Sequence, residues 1–251
     1  MRENELDSLK NQVHQDGFCI LRNHLPRDLM QDCGKAFAPM LRDYLELHDK
    51  EPNRGPRRHY IPLPLEPPFY DARIFACTTL YAIVTRLLGP DALYTQFATD
   101  TPLRGSVYQA VHSDIWPLFV EDPDLPHPPA LIAINFSFTD VGLADGPFQV
   151  ARGSHRLPKE QALEKIKRGE IPLEPLTFGA GDVLIRDPRC LHRGSPNRSD
   201  RPRAVAVIGC ERPWLRRGQA TQQSRISRAV WDGLSEFEKK VLARFESFVA
   251  D

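Results

Sequence analysis

The 251 residues carry 33 basic and 33 acidic side chains, so the formal charge is zero, and 41% of the chain is hydrophobic. This balance leaves no global basic footprint for nucleic acid and no nonspecific attraction to a membrane, and the length suffices for one large domain with a sizeable core. The longest aliphatic runs, such as Ala130-Leu131-Ile132-Ala133-Ile134, are far too short to span a bilayer, and the start Met1-Arg2-Glu3-Asn4-Glu5 lacks the apolar segment of a secretory signal.

In chain order, the spacing of Leu6, Leu9 and Val13 predicts a helix over 3–15 that stops at Gly17, followed by a strand over 18–21. Helical patterns cover 27–47 and 72–88; Pro39 is expected to kink or split the first, and Gly89-Pro90 to stop the second. Short β-rich runs then predict strands over 94–99, 106–112, 131–138, 148–151, 183–186 and 204–210. Ser235 with Glu238 three residues later is a capping box that opens a last helix. Pro62, Pro64, Pro67 and Pro68, and again Pro123, Pro126, Pro128 and Pro129, mark stretches that cannot join a central sheet; as edge or loop, they are candidate lids or static covers. There are no repeats and no domain-scale linker, so a single domain over 1–251 is expected. The element pattern implies a mainly β architecture with flanking helices, a double-stranded β-helix (jelly roll, cupin-like) packed against N-terminal and C-terminal helices.

Five cysteines, Cys19, Cys33, Cys77, Cys190 and Cys210, are an odd number without Cys-x-x-Cys spacing. They argue against a disulfide framework or a structural zinc site and for reduced thiols in a cytoplasmic protein. Cys190, two residues before His192, reads as a small core residue.

The chemistry concentrates in His112-Ser113-Asp114 and in the later His192. On the predicted strand, His112 and Asp114 at i and i+2 share a face and reach one ion. Two imidazoles and one carboxylate on one face of a metal leave three coordination positions open, which suits non-haem Fe(II) chemistry. A second copy, His14-Gln15-Asp16, sits at the end of the first helix, where residues two apart diverge by about 200°, so it reads as a solvated helix end. From Phe178 to Val207 the chain gives a Gly-rich turn, an apolar strand, a loop delivering His192, a polar turn and another strand. No helix follows Gly179-Ala180-Gly181, so a dinucleotide-binding loop is excluded.

His112-Ser113-Asp114, the block GAGDVLIRDPRCLHRGSPNRSDRPR and the early DGFCILRNHLP together resemble the phytanoyl-CoA dioxygenase family of Fe(II)/2-oxoglutarate-dependent oxygenases. Asp145-Gly146 and Gly153-Ser154-His155 are similar to that family's turn and strand before its long insertion, with Asp-Gly where many relatives have Asn-Gly. The resemblance places His112, Asp114 and His192 on the iron ligands and Arg203, eleven residues after His192, on the residue that pairs with the distal carboxylate of 2-oxoglutarate. Arginine's planar fork suits that carboxylate. Arg201 competes, and strand alternation alone does not choose between the two. Gln109 and Ser195 are candidate contacts of the cosubstrate or, equally, strand and turn residues.

The resemblance implies O2 as second cosubstrate, decarboxylation of 2-oxoglutarate to succinate and CO2, and hydroxylation of a C–H bond in a small organic molecule. Asp114 speaks against halogenation, since related halogenases have a small residue there. Desaturation, cyclisation or rearrangement on the same scaffold, or a non-enzymatic binding module that retains the metal, are the alternatives. Trp116 is a candidate wall of the substrate pocket, with core packing as its other reading. Arg57, Arg58 and His59 form a solvated charge run or meet an anionic substrate group, and His127 and His155 read as surface or turn residues. No obligate protein partner is evident.

Overall fold

The computed structural model describes residues 1–48, 51–119, 121–122, 125, 127–217 and 224–250; Pro123 and Pro126 of the second proline-rich stretch lie outside them. Helix α1 (Glu3–Asp16) buries Leu6 and Val13 and ends where Gly17, at φ 88°, donates its N–H to the Val13 carbonyl. Strand β1 (Phe18–Leu21) follows directly. Helix α2 (Arg27–His48) then runs through Pro39 as one element, so the expected interruption there is not a split. The proline forfeits one backbone bond, while Leu29, Met30, Cys33, Phe37 and Leu41 bury a continuous stripe along the same helix, and that burial outweighs the loss.

Strand β2 (Arg58–Pro62) is an element the sequence pattern did not announce, and its closing proline sits on an edge, as proline requires. The helix expected over 72–88 is two: α3 (Ala72–Phe75), capped by Asp71 accepting from the Arg73 N–H, and α4 (Thr78–Leu88), which ends at Gly89. The break falls at Cys77, which takes an extended conformation as the N-cap of α4.

Strands β3 (Leu93–Pro102), β4 (Leu131–Ser137) and β5 (Phe148–Val150) match expected strands, whereas helix α5 (Lys159–Lys167) and strand β6 (Glu174–Leu176) were not anticipated. Strand β7 (Val183–Arg186) lies where expected; β8 (His192–Gly194) emerges inside the histidine-bearing loop, and β9 (Val205–Glu211) follows it. The C-terminal region holds β10 (Ile226–Ser227), α6 (Arg228–Gly233), α7 (Glu236–Val241) and β11 (Val249–Ala250). At α7 the capping box forms as read, Ser235 and Glu238 each accepting from the other's backbone N–H.

Two antiparallel sheets result, one of six strands in the order β1-β7-β4-β9-β3-β2 and one of three in the order β6-β5-β8, which is the jelly-roll arrangement. The outer face of the larger sheet, with Ile132, Ile134, Phe136, Val183, Ile185, Ala206 and Ile208, shares one apolar core with α1, α2 and α4. Between the sheets, Phe18, Val150, Leu176, Leu184 and Cys190 form a second apolar cluster. Strand pairing sets Arg186, Ala133, Gly209 and Gln96 side by side across β7, β4, β9 and β3. Paired residues share a face, so this row places polar groups at its ends and small residues in the middle.

The expected strand over 106–112 does not form. Beyond Gly105 the chain runs beside β8 and is tied to it by a few groups: Gln109 N–H to Gly194 O, Gly194 N–H to Gln109 Oε1, and a reciprocal pair of bonds between His112 and His192. All five cysteines are free. No helix among the described residues is long and apolar enough to cross a membrane.

Candidate metal centre

The bridge between His112 and His192 brings their rings to a centroid distance of 4.5 Å. Asp114 joins them from the loop beyond the bridge, held by its N–H on the Pro188 carbonyl at 3.0 Å, so the expected strand geometry is replaced by a loop with the same outcome. One donor atom from each of His112, Asp114 and His192 lies within 4.8 Å of the other two. His112 Nε2 is 3.6 Å from Asp114 Oδ1, and His192 Nε2 is 3.3 Å from Asp114 Oδ2.

Each imidazole is fixed in one tautomer by its other nitrogen. His112 Nδ1 lies 2.8 Å from the Ala110 carbonyl and His192 Nδ1 2.8 Å from the Cys190 carbonyl. A carbonyl only accepts, so each Nδ1 carries the proton and each Nε2 presents a lone pair to the centre. Ligand atoms about 2.1 Å from a common ion lie about 3 Å apart on adjacent octahedral positions, close to the two carboxylate–imidazole separations above. The donor set thus fits a divalent metal. Burial pushes the His192 imidazole down, toward the neutral form a metal needs, while the neighbouring Asp114 carboxylate raises His112 as long as no cation takes the proton's place. For Asp114, burial works upward but is outweighed by the pull of His192 and Arg186 and by its closeness to both imidazoles, which hold the carboxyl well below the usual range.

Arg186 is the residue that sequence reasoning missed here. Its Nη2 donates to Asp114 Oδ2 at 2.7 Å, its Nε to Asn135 Oδ1 at 3.2 Å, and its guanidinium lies 5.1 Å from the Phe148 ring. The signal was available: a lone charge closing the apolar strand Val183-Leu184-Ile185, in alternation with Leu184.

A second charged group lies nearby. Arg203 is buried just ahead of β9 and donates from Nη2 to Asp100 Oδ2 at 2.8 Å; burial lowers its pKa, offset in part by Asp100. Arg201 points outward to Asp145, its side chain 66% exposed, so the two arginines that sequence alternation left unresolved separate cleanly. Arg58 joins Arg203: it is 1% exposed and donates to Asp100 Oδ2 at 2.9 Å and to the Ser195 carbonyl at 2.8 Å. A side chain at Gly194 would place its Cβ only 2.5 Å from that guanidinium. The reading of Arg57, Arg58 and His59 as a solvated run is therefore corrected, because β2 carries Arg58 and His59 into the interior.

Gln109 and Ser195 are committed to the backbone. Gln109 Oε1 accepts from the Gly194 N–H and its Nε2 donates to the Arg54 carbonyl, while Ser195 Oγ donates to the Pro147 carbonyl. Trp116 is 84% exposed and lines a cavity of about 470 Å³ with Ser113, His127, Arg156 and Arg189; His112, Asp114 and His192 do not line it. At the far end of the row that begins at Arg186, Gln96 donates to the Tyr60 hydroxyl and accepts from Arg217, which also pairs with Glu211. Asp16 pairs with Arg152, and the His14 carbonyl with His155, so the second His-x-Asp copy is a helix end as read. Cys190 packs against Gly17, and burial pushes its thiol up, as suits a core residue.

The family described as phytanoyl-CoA dioxygenase (PhyH) matches residues 13–205. An iron/alpha-ketoglutarate-dependent dioxygenase, ausU of Aspergillus calidoustus, is 26% identical over 215 residues, covering 80% of this chain and 68% of that protein. Among solved structures, EvdMO1 superposes with a TM-score of 0.63 at 21% identity over 83% of this chain, which spans only 50% of EvdMO1. The non-haem alpha-ketoglutarate-dependent epimerase SnoN, from nogalamycin biosynthesis, gives 0.64 at 18% identity over 84% of this chain and 82% of its own.

Proposed function

This chain belongs to the phytanoyl-CoA dioxygenase family of Fe(II)/2-oxoglutarate-dependent oxygenases, and from that premise we propose that it hydroxylates a C–H bond of a small organic molecule, acting as one domain over 1–251. In this reading His112, Asp114 and His192 hold the iron and Arg203 receives the distal carboxylate of 2-oxoglutarate. The convergence of three donor atoms within 4.8 Å carries the reading, because each imidazole already offers its Nε2 lone pair. Iron held by these three residues would activate O2, the oxidant, with 2-oxoglutarate giving up two electrons as it becomes succinate and CO2 and the substrate C–H bond giving up the other two.

The remaining work falls to the chain. The Ala110 and Cys190 carbonyls hold the Nδ1 protons, and hence the ring orientations, through the cycle. Arg58 and Asp100 set the plane in which Arg203 meets the cosubstrate. In the row that begins at Arg186, Gln96 and the Arg217 side chain close over Gly209, and Gln96 with the Tyr60 hydroxyl ends it in polar groups. Epimerisation by a structural neighbour favours keeping a second reading open, in which the same first C–H cleavage leads to desaturation, cyclisation or rearrangement.

Anaerobic titration with Fe(II) and then 2-oxoglutarate tests the reading. A weak visible charge-transfer band is expected in the wild type; His112→Ala should abolish it, and Arg203→Ala should need at least tenfold more 2-oxoglutarate. A wild type that shows neither the band nor tight Fe(II) binding would overturn the proposal and leave a binding module in its place.

A further inference from the structure

Strand β7 ends its apolar run on a charge that is carried into the interior, where Arg186 is 9% exposed. Its partner across β4 is Ala133, whose short side chain does not compete with it, and Arg186 reaches along that same strand to Asn135. Three contacts fix its guanidinium: Asn135 on Nε, Asp114 on Nη2, and the Phe148 ring at 5.1 Å. Its third nitrogen, Nη1, is buried without a hydrogen-bond partner.

Asp114 presents two oxygens, and each faces a different histidine, Oδ1 toward His112 at 3.6 Å and Oδ2 toward His192 at 3.3 Å. A carboxylate so placed can bind an ion through both oxygens, which would consume one of the three positions that the reaction needs open. The Arg186 bond at 2.7 Å is the shorter of the contacts to Oδ2, and it takes that oxygen. Simple charge balance does not explain the arginine. An ion of charge +2 already compensates Asp114, and a guanidinium beside such an ion is repelled by it. The geometric role survives that objection, because a braced fork dictates which oxygen remains free.

We propose that Arg186 is a positioning residue that keeps Asp114 a one-oxygen ligand and thereby holds a coordination position open beside the bound cosubstrate. This rests on the iron reading above. Nη1 stays available to an oxygen atom that arrives with the ligands.

Nitric oxide serves as a neutral reporter of the open position on Fe(II), read by electron paramagnetic resonance under anaerobic conditions. Three open positions accommodate 2-oxoglutarate through two oxygens together with nitric oxide; two do not. In the wild type, saturating 2-oxoglutarate is expected to leave the nitric oxide signal intact. In Arg186→Met and Arg186→Lys the two ligands are expected to compete, with half-saturation by 2-oxoglutarate rising at least tenfold when nitric oxide is present. The lysine variant keeps the charge and loses the fork, so competition there separates positioning from attraction of an anion. Asn135→Ala leaves Arg186 and Asp114 in place, removes only the Nε brace, and should show the same competition more weakly; it decides the matter if the other two do not fold. Simultaneous binding in the folded variants, as in the wild type, overturns the proposal. A wild type that forms no Fe(II)–2-oxoglutarate band instead overturns the iron reading, and this proposal falls with it.

Discussion

Asp100 receives two guanidinium groups on a single oxygen, Arg58 at 2.9 Å and Arg203 at 2.8 Å, both arginines being almost wholly buried. Burial alone would raise the Asp100 carboxyl, yet the two cations hold it below its usual value. Removing the carboxylate would leave two buried cations without their shared counter-ion, a loss of about 3–5 kcal/mol for a broken buried pair. Asp100→Asn is therefore expected to lower stability by roughly that amount in urea unfolding, and part of it should return when 2-oxoglutarate and Fe(II) are present, since a second carboxylate then faces Arg203. An unchanged midpoint would mean that the arginines find other partners. At this scale the sequence was legible where spacing carries meaning. His112, Asp114 and His192 do converge, and Arg203, picked out over Arg201 by an offset that resembles the family's, is the buried one of the two. Arg58 and Asp100 were not legible, because each stands among other polar residues of its strand and its partners lie 42 to 137 residues away; Arg186 left a signal as the lone charge of β7, but its partner Asp114 lies 72 residues off.

The turn before β7 shows how an element is held in place to deliver the site. Asp182 accepts from the Asn23 and Gly179 N–H groups at 2.8 and 3.0 Å and from Arg22 at 2.6 Å, which ties the start of β7 to the segment after β1. Gly181, at φ +99°, passes so close to Leu25 that a Cβ would sit 2.4 Å from its carbonyl oxygen. Burial pushes the Asp182 carboxyl upward, and the two backbone donors and Arg22 more than reverse this, leaving it below its usual value. A carboxyl depressed in the folded state stabilises above its unfolded pKa of about 3.9, and that stabilisation is lost as pH falls through the lower folded value. Asp182→Asn should therefore cost about 1–3 kcal/mol at pH 7, with the gap to the wild type closing below about pH 4 in denaturant titrations at matched ionic strength. A gap independent of pH would assign the loss to shape, not charge. Elements with a strong period or a stop signal, α1, β1, β7 and α7, were readable in the sequence. The segment over 106–112 was not, since its β-formers Val107 and Tyr108 stay half exposed and only Gln109 and His112 bond to β8, whose register is set from the far side by β5.

Across the whole molecule, the groups around the candidate centre come from both sheets and from the loop that carries Asp114. His192 lies on β8 of the smaller sheet, Arg58 on β2 and Asp100 on β3 of the larger, and Asp114 on a loop that also touches Arg186 of β7. A metal and a dicarboxylate bound there would cross-link parts of the chain that otherwise meet through a modest apolar cluster between the sheets. Binding to the native state alone at 100 times the dissociation constant adds about 2.7 kcal/mol. For a chain of 251 residues that corresponds to a rise in Tm of about 5–10 °C. Differential scanning calorimetry with Fe(II) and 2-oxoglutarate under argon should show this rise, chelator should reverse it, and His112→Ala should lack it. The rise should also exceed the sum of those for metal and cosubstrate alone, because the cosubstrate gains the iron as a binding partner and the iron gains the cosubstrate. If the two increments merely add, the dicarboxylate does not bind through the metal, and the bonds that hold Asp114 to Pro188 and Arg186 serve a centre the cosubstrate does not reach.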